Sequence, residues 1–222
     1  MKRLISAILL ALATSAVTYA ASMTAQSGVY LIGQGGWSFV DAPSPLLGVY
    51  VPWVTPLYSQ TSDTYALGGG LGYDFALSSH LMVGAEVSYF DLGETDYQYN
   101  LQPIFINASG SGSIKNSGTQ VLLTTTYIMS DGLAIMAKAG AMHETTQVSF
   151  TGTFPFSVEK EGALPVLGIG FGYQLVPNLM ISAQYEHVFG SDWNNDAFLQ
   201  QTPSEPMTQD IVSAGLSYKF PL

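Results

Sequence analysis

Four polar residues, Glu86, Lys138, Gln184 and Glu186, fall on one parity of short segments that otherwise alternate apolar and small residues. Two carboxylates near one ammonium suit either general acid–base chemistry or a buried ion-pair cluster that cross-links opposite walls. The spacing favours the second. If these segments form a small closed sheet, its interior is filled by side chains and admits no substrate between the two acids. Lys138 is then expected to pair with one or both acids. His80, His143 and His187 are scattered, and Glu144 and Ser149 near His143 form no tight nucleophile motif, so no catalytic residue, metal ligand or cofactor site is expected. The glycines at 68, 70, 72, 168, 170 and 172 sit in mid-segment with no helix start after them, which excludes a phosphate loop. Their expected part is steric: they make room for larger interior side chains.

The elements that must position these residues follow from alternation at period two. From Tyr65 to Leu77 one parity is Tyr, Leu, Gly, Leu, Tyr, Phe, Leu and the other is Ala, Gly, Gly, Gly, Asp, Ala. A water-soluble sheet hides its apolar face and sets charges on the other. Here the second face is narrow and almost uncharged, which fits a strand with lipid outside and a crowded barrel interior inside. Even-numbered residues of the second to seventh strands therefore point inward. Only 10% of the 222 residues are charged, against about 25% in soluble domains. There is no Cys, and mean hydropathy is positive at +0.25. The mature chain nonetheless lacks the run of about 20 apolar residues that a spanning helix needs.

Lys2 and Arg3, the apolar run Leu4 to Val17 and the small residues Thr18 and Ala20 form a secretory signal. The expected organisation is a signal peptide over 1–20 and a barrel domain over 21–222. Its removal leaves four basic residues against 16 acidic ones, a net charge of −12. That balance argues against nucleic-acid binding.

Eight strands are predicted, at about Val29–Ser38, Tyr65–Leu77, Leu81–Phe90, Thr119–Met129, Leu133–Met142, Ala163–Leu175, Leu179–Phe189 and Ile211–Phe220. The turns after the second, fourth and sixth are short: Ser78-Ser79-His80, Ser130-Asp131-Gly132 and Val176-Pro177-Asn178. Connections after the first, third, fifth and seventh are long, including a proline-rich segment from Val40 to Asp63 and a Gly/Ser/Asn-rich one around 107–113. This asymmetry predicts an all-β, eight-stranded antiparallel up-and-down transmembrane β-barrel with short periplasmic turns and long extracellular loops. Aromatic residues cluster near both ends of the strands, as interfacial girdles do. The first long loop, with Tyr50, Trp53 and Tyr58, is unusually apolar and is a possible surface interaction loop.

Several of these segments resemble the transmembrane domain of the outer membrane protein A (OmpA)-like β-barrel family. They are Gly68-Gly-Gly-Leu-Gly-Tyr73, Gly84-Ala-Glu86-Val-Ser-Tyr89, Ile135-Met-Ala-Lys138-Ala-Gly140 and Ala183-Gln-Tyr185-Glu186. Gly215-Leu-Ser-Tyr218-Lys-Phe220 resembles the C-terminal insertion signal of such barrels, although Pro221 and Leu222 follow it. The family's peptidoglycan-binding domain has no counterpart in the sequence. The resemblance implies a monomer in the bacterial outer membrane, in contact with its lipid and assembled by the general barrel-insertion machinery. It also implies lumen ion pairs at Glu86, Lys138 and Glu186 that occlude the barrel. The expected function is structural or surface-interacting (adhesion-like), with a host or cell-surface partner met through the loops. The alternatives are a narrow porin for small solutes and a rim-active lipid-modifying enzyme.

Overall fold

The computed structural model describes residues 24–40, 57–60, 63–101, 108–152, 155–190 and 208–221. The expected signal peptide over 1–20 lies outside these, as do Tyr50 and Trp53. The described residues form nine strands: β1 Gly28–Val40, β2 Leu57–Gln60, β3 Asp63–Ala76, β4 Leu81–Leu101, β5 Ala108–Ile128, β6 Leu133–Gly152, β7 Phe156–Val176, β8 Leu179–Val188 and β9 Gln209–Pro221. Eight of them close a barrel in the order β4-β3-β1-β9-β8-β7-β6-β5, with β4 pairing back onto β5. Every pairing is antiparallel, and β2 adds to the upper part of β4. The closed ring pairs the lipid-crossing part of every wall strand on both edges, as a sheet surrounded by lipid requires.

The outer wall is apolar. Leu71 is 56% exposed and Ile169 63%, with Leu31, Leu67, Val87, Val121, Leu123, Leu167 and Phe171 in the same band. Tyr73, Phe75, Tyr127, Tyr218 and Phe220 ring the periplasmic end; Trp37, Phe39, Tyr65, Tyr89 and Phe189 ring the other. The periplasmic turns are tight. Ser78 Oγ accepts from the backbone N–H of His80 and Leu81, and Gly132 takes φ +88° beside Asp131, whose Oδ1 accepts from Leu133 N.

The wall is taller on one side than the sequence predicts. The segment around 107–113, expected to be a loop, is strand: β5 begins at Ala108 and pairs with β4 and β6 along its length. β6 and β7 likewise continue to Gly152 and back from Phe156. In these extensions the outward residues are Glu94, Asp96, Lys115, Thr145, Gln147, Glu159 and Glu161. No lipid opposes them, so the apolar–polar contrast that marks a spanning strand is absent, while the ladder continues. Tyr58 falls in β2, opposite Tyr99, and not in a loop. A bulge between Asp91 and Glu94, with Gly93 at φ +79°, adds one residue to β4. Below it Phe90 and Leu92 point inward; above it Thr95 does.

Candidate functional site: the filled lumen

Glu86 on β4, Lys138 on β6, and Gln184 and Glu186 on β8 all point inward and are buried, at 2, 7, 5 and 1% exposure. Lys138 Nζ donates to Glu86 Oε1 at 3.0 Å and to Oε2 at 3.2 Å, and lies 3.4 Å from Glu186 Oε1. Three strands are thereby tied through one ammonium. Gln184 does not join this ion cluster; its Nε2 donates to Ser182 Oγ at 2.9 Å.

Glycine on the intervening strand lets the partners meet. Gly168 lies between Lys138 and Glu186 in the register, and a Cβ there would stand 3.0 Å from Glu186 Cγ. Gly72 lies between Tyr30 and Glu86, where Tyr30 donates its hydroxyl to Glu86 Oε2 at 3.0 Å. A Cβ on Gly72 would collide with the Tyr30 ring. Gly72→Val is therefore expected to break the Tyr30–Glu86 bond and lower stability by about 1–3 kcal/mol, the usual cost of overpacking. Urea unfolding in lipid vesicles reads this directly, and wild-type stability would refute the steric role.

Sequence reasoning missed several members. Gln120 donates to Ser88 Oγ at 2.9 Å and to Glu186 Oε2 at 3.2 Å, and Ser88 donates to Glu86 Oε1 at 3.3 Å. Tyr30, Ser88 and Gln120 lie on the inward parity of their strands, which was the available signal. A second ion pair, Lys219 Nζ to Asp74 Oδ2 at 2.7 Å, spans the periplasmic mouth. Lys219 also donates to the carbonyl of Gln26 at 3.1 Å. The segment before β1 crosses beneath the barrel: Ala25 N bonds Ser79 O at 2.8 Å, and Ala25 packs on Met82, Ile128 and Ala134. From Lys138 down to Lys219 and the periplasmic turn at Pro177 and Asn178 runs a cavity of about 40 Å³, lined also by Tyr30, Met136 and Thr124, room for a few waters.

An apolar layer interrupts the polar filling. Phe90, Leu92, Leu122, Met142, Leu164, Val188 and Ile211 form a buried cluster above the ions. Polar side chains are buried toward the extracellular end as well, where Gln209 donates to Ser38 Oγ at 2.6 Å and Thr64, Asn116 and Thr146 point inward. Glu144, the next inward residue after Met142 on β6, is level in the register with Phe90 of this cluster. Its Oε1 accepts weakly from Thr146 at 3.4 Å. His143, adjacent in sequence, points outward toward Glu161 at 3.9 Å. The two lie on opposite faces, so no His–Ser–acid set assembles there among the described residues.

Gly215, Tyr218 and Phe220 lie on β9, with both rings on the lipid face and packed edge-to-face at 4.9 Å between centroids.

A closed eight-stranded barrel with lipid-matched walls and a filled interior defines an integral protein of the bacterial outer membrane. The chain belongs to the outer membrane protein beta-barrel domain family, whose pattern matches residues 7–220. An uncharacterized protein of Coxiella burnetii is 24% identical over 95% of this chain and 92% of its own length. Among solved structures, Ail, the attachment invasion locus protein of Yersinia pestis, in complex with the heparin analogue sucrose octasulfate, is 13% identical. It covers 87% of this chain and 100% of its own, with a TM-score of 0.46. Neisserial surface protein A is 12% identical over 88% and 99%, with a TM-score of 0.47. OprG of Pseudomonas aeruginosa is 13% identical over 90% and 99%, with a TM-score of 0.45.

Proposed function

We propose that this protein is a sealed outer membrane scaffold that presents its extracellular hairpins to a host or neighbouring cell surface, and that it conducts no solutes. The observation that carries the reading is the filled lumen. An apolar cluster, an ion cluster and an ion pair across the periplasmic mouth lie in series along the barrel. An eight-stranded barrel has an interior just wide enough for such side chains to fill. The tall hairpins β4–β5 and β6–β7 supply the presented surface, joined by the apolar segment with Tyr50, Trp53 and Tyr58. The same reading takes the chain as a monomer exported by a signal peptide cleaved after Ala20. Gly215, Tyr218 and Phe220 then address it to the barrel-insertion machinery.

Purified protein in planar bilayers is expected to show no steady conductance. Stable wild-type channels would replace this reading with a narrow porin. A rim-active lipid-modifying enzyme finds no supporting geometry among the described residues.

A further inference from the structure

On the short side of the barrel, β8 and β9 end at the lipid interface and carry a polar group that the lumen does not use. His187 and Asp210 are direct cross-strand partners, both on the outward parity. His187 Nδ1 lies 2.7 Å from Asp210 Oδ1, and Tyr185 donates its hydroxyl to the same oxygen at 2.6 Å. Phe189 meets the imidazole edge-on at 4.3 Å, and Phe39 is the β1 residue paired with Asp210. Trp37 and Phe39 stand exposed beside them. Rings at this height mark the headgroup region, where a carboxylate and an imidazole meet polar lipid and not hydrocarbon.

The geometry fixes what the pair can offer. Nδ1 and the Tyr185 hydroxyl converge on one carboxylate oxygen. In its imidazolium form His187 donates Nδ1–H to Asp210 and carries a second donor, Nε2–H, on the far side of the ring from Asp210. We infer that His187, held by Asp210 and Tyr185, binds a phosphate group of an outer-leaflet lipid through Nε2–H, with Trp37, Phe39 and Phe189 packing on the rest of that lipid. A charge-assisted N–H···O–P bond has the strength and direction this arrangement favours. The inference concerns the lipid-facing wall and does not depend on what the hairpins bind.

Detergent-solubilised protein is incubated with lipid A or dephosphorylated lipid A, and retained lipid is counted by native mass spectrometry. Wild type is expected to prefer the phosphorylated lipid by roughly tenfold, the scale of one hydrogen bond to a charged group. His187→Gln should abolish that preference, and Tyr185→Phe, which keeps the ring and the fold, should weaken it severalfold. Folding of each variant is checked by heat-modifiable migration on gels. Equal retention of both lipids by wild type, or an undiminished preference in His187→Gln, would overturn the inference. Displacement by an equal concentration of inorganic phosphate would overturn the lipid as occupant.

Discussion

Lys138→Ala is expected to lower the unfolding free energy by about 3–5 kcal/mol, the range found when one partner of a buried ion pair is removed. The ammonium is the one positive group against two carboxylates in this layer, at 3.0 Å from Glu86 and 3.4 Å from Glu186. Without it, two like charges share a poorly solvated space, each with only neutral donors left: Tyr30 and Ser88 for Glu86, Gln120 for Glu186. Glu86→Gln or Glu186→Gln should cost less, because Lys138 keeps the other acid. Urea titrations of the three variants in lipid vesicles give the ranking. If Lys138→Ala is the mildest, the cluster is not what ties these walls together. Conductance measured on the same variant separates stability from sealing. The apolar layer above is intact, so the lumen should stay closed even when the ion layer fails.

Leu71→Lys is expected to cost about 2–4 kcal/mol, the penalty for a cation near the bilayer midplane on a barrel's outer face. Leu71 projects outward between Leu31 on β1 and Val87 on β4, one outward position from Tyr73 of the periplasmic ring. A lysine there relieves part of the cost by stretching its ammonium past Tyr73 toward the headgroups, which sets the lower end of that range as the expected value. Gly33→Ala is the matched control. It lies on the same face, and a Cβ there meets nothing within 4 Å, so its stability should stay close to wild type. Equal stability of Leu71→Lys and wild type in bilayers would invert the assignment of inside and outside.

The spanning part of this fold was legible because lipid imposes contrast. Wherever a strand crosses hydrocarbon, one parity must be apolar and the other small or polar, and Tyr65 to Leu77 shows that at sight. Above the lipid both parities become Ser, Thr, Gly and Asn, so β5 from Ala108 looked like a loop. Its ladder is held by pairing on both sides, and sheet propensity depends on such context. β2 escaped notice in a proline-rich stretch because four residues carry no period. Within the lumen, charge pointed to Glu86, Lys138 and Glu186. The uncharged members Tyr30 and Gln120 were hidden by their ordinariness, and Lys219 by the opposite parity of β9, where odd-numbered residues face inward. The apolar layer of Phe90, Leu122 and Met142 was obscured for another reason. In a lipid-facing barrel, greasy residues are expected outside, and only their even numbering marks these three as inward.

The seam of the barrel bears on how the chain reaches this state. β1 pairs with β9 from Gly28 to Val40, so the first wall strand finds one of its two neighbours only in the last. Until that strand arrives, an otherwise complete sheet carries two open edges, each a row of unpaired N–H and C=O groups that invites pairing with another chain. Such an open ribbon can neither enter lipid nor remain safely in water. The topology therefore leaves the chain exposed to misassociation for as long as β9 is missing. Zipping of β1 onto β9 closes the ring, after which the lipid-crossing part of the wall has no edge from which to aggregate.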